Sequence, residues 1–257
     1  MSAEDDIAAL MDYLRALAPS FFAARMRGAA DAEIERFERA AGERLSDGHR
    51  EFLRHAGSTP PQALNPFLYD RDYCVDTLVA EYDGWRAAGQ AFPPGIVYFS
   101  SSEITGETLF LRRGESLADD PEIGDLLDDG ATFRRNARVS LVSYLRWFAF
   151  IFRCGQLAHG LDICPRWDRE NQRWLGDRAA MRDILGRLGF TTRFELGDGC
   201  EQLDGDRSAA TLESDGSATI FSDDGAALRR FAAALQVELD LGVTRIAASA
   251  RLLAPRE

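Results

Sequence analysis

Three histidines, four cysteines and one dense run of carboxylates are the residues of this chain best equipped for chemistry. His49, His55 and His159 form no i,i+4 pair and no H-E-x-x-H, so the sequence sets no two imidazoles on one helix face to hold a metal. His49 could bind a ligand, but it reads as a partly buried residue filling a space. His55 sits toward the end of a helical stretch, where it complements the helix dipole. Cys74, Cys154, Cys164 and Cys200 lie far apart with no C-x-x-C. Cys164 has no cationic neighbour in sequence to lower its pKa and reads as an inert thiol. There is no G-x-S-x-G elbow and no P-loop. "GDGCEQLDG" has the wrong spacing for a dinucleotide loop, and "LDGDRS", "SDG" and "SDDG" read as turns and a helix cap, not as Ca²⁺ loops. The reading is non-catalytic: no catalytic, cofactor-binding or metal-ligating residues and no cofactor.

Binding chemistry is better represented. "ADDPEIGDLLDDG" places Asp119, Asp120, Glu122, Asp125, Asp128 and Asp129 within a short acidic loop with room for one helical turn. Such a loop creates a local negative field that can steer a basic protein partner. Trp167 and Trp174 belong to no apolar stripe, and they are candidates for an aromatic anchor. The whole chain points the same way. Its 257 residues carry a net charge of -12, and all 30 cations are Arg. A phosphate backbone would be repelled, which argues against nucleic acid.

These residues need a frame, and the apolar periodicity supplies one. Ile7, Leu10, Leu14 and Leu17 mark a first helix that Pro19 ends. "DAEIERFERAAGERLSDGHREFLRHAG" then reads as two short helices and a corner. Asp31 and Ser46 are the expected N-caps, and Gly42 and Gly57 the stops. "DTLVAEYDGWRAAG" leans helical, and "FPPG" is a boundary. Ile96–Phe99 and Thr108–Leu111 read as paired strands, with Gly106 in the turn between them. Leu141–Phe152 is apolar nearly all round, as a helix buried on several sides would be. It is too short to cross a bilayer and contains Arg146. In the tail, "LDICPRWD" and "QRWLG" suggest a hairpin and 179–188 a helix. Strands are expected at 190–196, 208–213 and 218–221, before a last helix capped by Ser222.

The order "EIERFERAAGERLSDGHREFLRHAG" resembles the opening signature of the SUKH superfamily, named for yeast cell-wall regulators of the Smi and Knr type. Ile34, Phe37, Glu38, Gly42, Leu45, Phe52, Leu53 and Gly57 carry the likeness. Ser46 stands in place of the usual Pro, His49 in an aromatic slot, and "HAGST" in place of Asn-Gly-Gly. "GIVYFSSSEITGETLFLR" and "VSLVSYLRWF" are similar to the family's strand pair and closing helix, so the resemblance spans roughly residues 28–152. It implies an α+β fold with a mixed or antiparallel sheet flanked by helices. It also implies non-catalytic binding, as in the superfamily's many bacterial immunity proteins, which neutralise a cognate toxin.

The expected organisation is an N-terminal helical segment (1–27), a SUKH-like domain (28–155) and a smaller α+β domain (156–257). The leading function is an immunity protein occluding a basic toxin, possibly a nuclease. An intracellular adaptor and an enzyme housed in the tail are the alternatives. The acidic start "MSAEDDIAAL" resembles no secretion signal, so a soluble cytoplasmic protein without a membrane partner is expected. Widely spaced cysteines fit a reducing compartment. Mass spectrometry after alkylation without reductant should therefore find four labelled thiols, and a Cys–Cys bridge would contradict the reading.

Overall fold

The computed structural model describes residues 2–59, 68, 71–102, 106–127, 130–164, 167–168, 173–174, 177–239 and 242–248; within these, the side chains of 164, 167, 168, 173, 174, 235–239 and 242–248 lie outside the description. The fold is α+β, with helices flanking antiparallel sheets. It divides into two compact units, Met1–Ala149 and Phe150–Glu257. No single described helix is long and apolar enough to cross a membrane.

The first unit opens with α1 (Ala3–Leu17), α2 (Pro19–Arg25), α3 (Asp31–Ala41) and α4 (Asp47–Ala56). Pro19 does end α1, but it also starts α2, because a first-turn position needs no amide proton. Ser46 caps α4 as expected, its Oγ accepting a bond from the His49 amide at 3.3 Å. Asp31 does not cap α3. Ala30 holds the cap position, and its amide donates to Glu33 Oε2 at 2.7 Å. The Asp31 carboxylate is engaged elsewhere, 3.1 Å from Arg54 Nε. Gly42 closes α3 at φ 71°, a left-handed conformation that costs glycine little. Glu38 fixes the corner: its Oε1 accepts from the Leu45 amide at 3.0 Å and lies 2.7 Å from Arg50 Nη1. Gly28 is required by close approach, since a Cβ there would fall 1.7 Å from the Arg54 carbonyl oxygen.

The unit continues with β1 (Arg71–Asp72), α5 (Val75–Ala87), β2 (Ile96–Ser102), β3 (Thr108–Arg112), β4 (Glu122–Leu126) and β5 (Phe133–Ser140), and then α6 (Leu141–Gly155). The five strands form an antiparallel sheet in sequence order. A bulge at Phe99 interrupts the β2–β3 register. The Phe99 ring packs on His49, Phe52 and Tyr144. Its neighbour Tyr98 packs on Trp85 and Phe110. Ile34, Phe37, Phe52 and Leu53, four of the signature positions, are fully buried.

The acidic stretch is a correction. Its centre is a strand, β4, not a loop with a helical turn. Ile123 is fully buried at its centre, and the carboxylates on either side meet arginines of the neighbouring strands. The second of the two expected strands, β3, therefore has partners on both sides, and β5 closes the sheet.

The boundary between units falls inside α6. The second unit contains β6 (His159–Cys164), β7 (Trp167–Asp168), β8 (Arg173–Trp174), α7 (Arg178–Arg187), β9 (Thr191–Glu195), β10 (Glu201–Gly205), β11 (Ser208–Leu212), β12 (Ala218–Ser222), α8 (Gly225–Leu239) and β13 (Gly242–Ala248). Six strands pair antiparallel in the order β13-β6-β12-β11-β10-β9, and β7–β8 is the expected hairpin ladder. Met181, Ile184, Leu185 and Leu228 of α7 and α8 join Leu161, Leu203, Leu212 and Ile220 of the sheet in one core. Phe150, Cys154 and Leu157 gather with Ala209 and Phe221 in another. β10 is unforeseen because "EQLDG" is polar. Its Glu201 is nonetheless buried, with Arg178 Nη2 2.5 Å and Arg182 Nε 3.0 Å from Oε1. Ser222 does not cap α8. Its Oγ accepts from the Asp224 amide at 3.1 Å, and Asp224 Oδ1 accepts from the Ala226 amide at 2.8 Å.

Truncating Phe52 to Ala should lower unfolding free energy by about 3–5 kcal/mol, measured by urea denaturation, because the cavity would sit among Phe99, Tyr73 and the α4 backbone.

Candidate functional site

The four described acidic residues named from the sequence do not form a free carboxylate patch. Asp119 is exposed, and its Oδ2 accepts from the Ser116 amide at 2.8 Å. Asp120 Oδ1 accepts from the Val142 amide at 3.1 Å and so caps α6. Burial pushes its carboxyl above the usual range, and bonds from Ser140 and Val142 oppose that shift. Glu122 lies 2.6 Å from Arg112 Nε and 3.3 Å from Arg135 Nη1. Asp125 lies 3.1 Å from Arg134 Nε, and this bond holds its carboxyl below the ordinary value. Three arginines on β3 and β5 thus face the carboxylates of β4 as cross-strand pairs. Asp128 and Asp129 lie outside the described residues, as do the side chains of Trp167 and Trp174. The backbones of those two tryptophans are register partners in the β7–β8 ladder.

His49 is interior. It is 1 % exposed, its ring centroid 6.0 Å from Phe37 and 5.7 Å from Phe99. Nε2 has no hydrogen-bond partner. Burial pushes its pKa down to about 3, so the ring is neutral at pH 7. It completes an aromatic cluster with Phe37 and Phe99. His55 Nε2 lies 2.9 Å from Glu51 Oε1, one turn earlier on α4. Cys74, Cys154 and Cys200 are free thiols. Burial raises the Cys154 pKa well above the ordinary thiol value, which suppresses the reactive thiolate. Among the described residues, no group of three or more His, Cys, Asp or Glu side chains could hold a metal ion.

The structure adds a feature that the sequence did not single out. α5 ends at Ala87, and the chain passes over one face of the sheet before β2 begins. Trp85 and Phe92, on either side of this turn, are half-buried and meet edge to face at 4.7 Å. Beneath them, Trp85 lies 4.9 Å from Tyr98, and Phe92 lies 5.3 Å from Phe110. Two concavities of about 370 and 480 Å³ share Trp85, Gln90, Ala91 and Phe92 in their walls. The first runs toward Gly42 and Glu43 at the end of α3. The second is closed by Thr108, Phe110, Leu126 and Gly130. The groove therefore ends where the acidic stretch ends. Leu127, beside it in sequence, is the one large apolar side chain exposed among the described residues, at 38 %.

Charges at the first concavity are paired. Glu43 Oε1 accepts from the Gly95 amide at 2.9 Å, and its Oε2 lies 3.3 Å from Arg113. Arg86 donates to the Ala40 carbonyl at 2.7 Å and pairs with Asp83 at 3.0 Å. Among the described residues, the second concavity has no charged side chain in its lining, and its aromatic walls suit protein contact: rigid aromatic anchors lose little conformational entropy when they dock. The signal in sequence was the pair Trp85 and Phe92 around "AAGQA", which a helix-to-loop boundary obscures. A further basin of about 380 Å³ is lined by Glu4, Glu35, Glu38, Arg44, Asp47, Arg50 and Arg54. There the Glu38–Arg50 and Arg54–Asp31 pairs tie α3 to α4.

No protein-family model matches this chain, and no curated protein matches it either.

The buried His49 has a measurable signature. Between pH 6.5 and about 3 the unfolded chain binds a proton there that the folded chain does not. Stability from this group is complete above pH 6.5 and falls by about 1.4 kcal/mol per pH unit below it. In chemical denaturation across that range, His49→Phe should show a shallower acid loss than wild type. Parallel curves would place the ring in solvent.

Proposed function

We propose that this chain is an immunity protein that binds and neutralises a basic protein toxin by occluding its active surface. The Trp85–Phe92 groove carries the reading, because it combines half-exposed aromatic anchors with a floor fixed by the sheet. The resemblance of α3 and α4 to the SUKH opening signature supports the same reading, and the net charge of -12 suits a cationic partner. A cytoplasmic site of action accords with the free thiols at Cys74, Cys154 and Cys200. The acidic stretch has a smaller part than its composition suggests. Its paired carboxylates would steer encounter at the rim while the rings supply affinity.

The test is co-expression with a toxic product of the neighbouring gene, scored as growth, with complex formation measured on the purified pair. Wild type should restore growth. The double variant Trp85→Ala and Phe92→Ala should bind at least about thirtyfold more weakly if the rings are hot spots, and should fail to protect. Circular dichroism would check that the variant keeps its fold. A wild-type chain that gives no protection, or a folded double variant that protects fully, overturns the proposal.

A further inference from the structure

Rings elsewhere in this molecule show what the groove lacks. Trp147, Phe133 and Phe194 are each half-buried, and each is approached by one of the chain's own guanidiniums. Arg138 stands 3.6 Å from the Trp147 centroid, Arg112 4.6 Å from Phe133 and Arg193 5.4 Å from Phe194. Among the described residues, no guanidinium lies over Trp85 or Phe92. The nearest in sequence, Arg86, is held by the Ala40 carbonyl and Asp83. Trp85, Phe92 and Phe110 nevertheless wall one concavity of about 480 Å³. A ring face is the negative end of the aromatic quadrupole, and tryptophan is the strongest such surface.

We propose that the groove receives an arginine side chain of the protein partner, its guanidinium lying over the Trp85 ring. The net charge of -12 raises the local concentration of a cationic partner. Among the described residues, the lining of the 480 Å³ concavity has no charged side chain, so an entering cation meets no guanidinium in that wall; Arg86 lines the neighbouring concavity, ion-paired to Asp83. The planar guanidinium stacks on a ring while keeping its edge donors free, which an ammonium cannot do. The Gln90 and Thr108 side chains, in the same wall, offer oxygens to those donors. The inference rests on the protein-binding reading of the groove and specifies its chemistry.

Three capped pentapeptides, Gly-Xaa-Gly-Xaa-Gly with Xaa as arginine, lysine or citrulline, would be titrated into the full-length protein by calorimetry. The arginine peptide should bind about three- to thirtyfold more tightly than the uncharged citrulline peptide, the range expected of one cation–π contact, with lysine between them. Trp85→Leu keeps an apolar side chain and should bring the arginine peptide down to the citrulline level. Non-specific attraction to an acidic surface would survive that substitution. Equal binding of arginine and citrulline peptides, equal binding of arginine and lysine peptides, no binding of any, or an arginine affinity unchanged in Trp85→Leu would each overturn the proposal. Growth protection separates this failure from failure of the functional reading. Protection by wild type without an arginine preference removes the cation and leaves the groove, whereas a Trp85-dependent arginine preference without protection removes the immunity role.

Discussion

The first unit depends on one constraint: strand β2 must be covered on both sides. Ile96, Val97, Tyr98 and Phe99 are all buried, so no side chain of this run can face water. The Phe99 bulge sends one ring toward α4, where His49 and Phe52 receive it. Tyr98 goes the other way, beneath Trp85. Two helices complete the first cover. The second is made by the end of α5 and the turn that follows it, and this short piece does not reach across the sheet. Among the described residues, the groove is the part of that face left incompletely covered, and its walls are aromatic.

Electrostatics in this molecule is mostly a matter of pairing. A chain with -12 net charge could be expected to carry acidic fields wherever carboxylates crowd. Instead Glu122 and Asp125 meet Arg112, Arg135 and Arg134 across the sheet, and Glu38 meets Arg50 across a helix corner. Most of these pairs are partly exposed and contribute little to stability. They set which surfaces stay neutral. Glu201 is different: it is buried, and two arginines and Thr192 satisfy it, so loss of both arginines would leave an unpaired charge in the interior.

At His49 and Val139 local preference gives way. An imidazole nitrogen without a partner in the interior costs free energy that a phenyl ring would not. Burial keeps the ring neutral, and it meets Phe37 and Phe99 as another aromatic would. Val139 adopts φ 66°, a conformation that β-branched residues rarely take. It lies where β5 turns into α6, and the Asp120–Val142 and Pro121–Leu141 bonds hold the chain there. The surrounding contacts overrule the local preference.

The α+β class was what the family resemblance implied, while periodicity and end signals determined the α3–α4 corner with its Ser46 cap and Gly42 stop, the β2–β3 pair and α6. These depend on neighbours in sequence, through amide capping, left-handed glycine and one apolar face. The partners of a strand are set by distant residues. β4 was therefore hidden by its carboxylates and β5 by its arginines, which meet across the sheet, and β10 by its polar letters, of which Glu201 is met by two arginines of α7. The cap of α8 moved from Ser222 to Asp224 because a cap is fixed by which amide it reaches, and that was decided in three dimensions. The groove lay furthest from view. Trp85, Phe92, Phe110 and Leu126 are spread along the chain, and only the folding of one sheet face beneath a short turn brings them to a common wall.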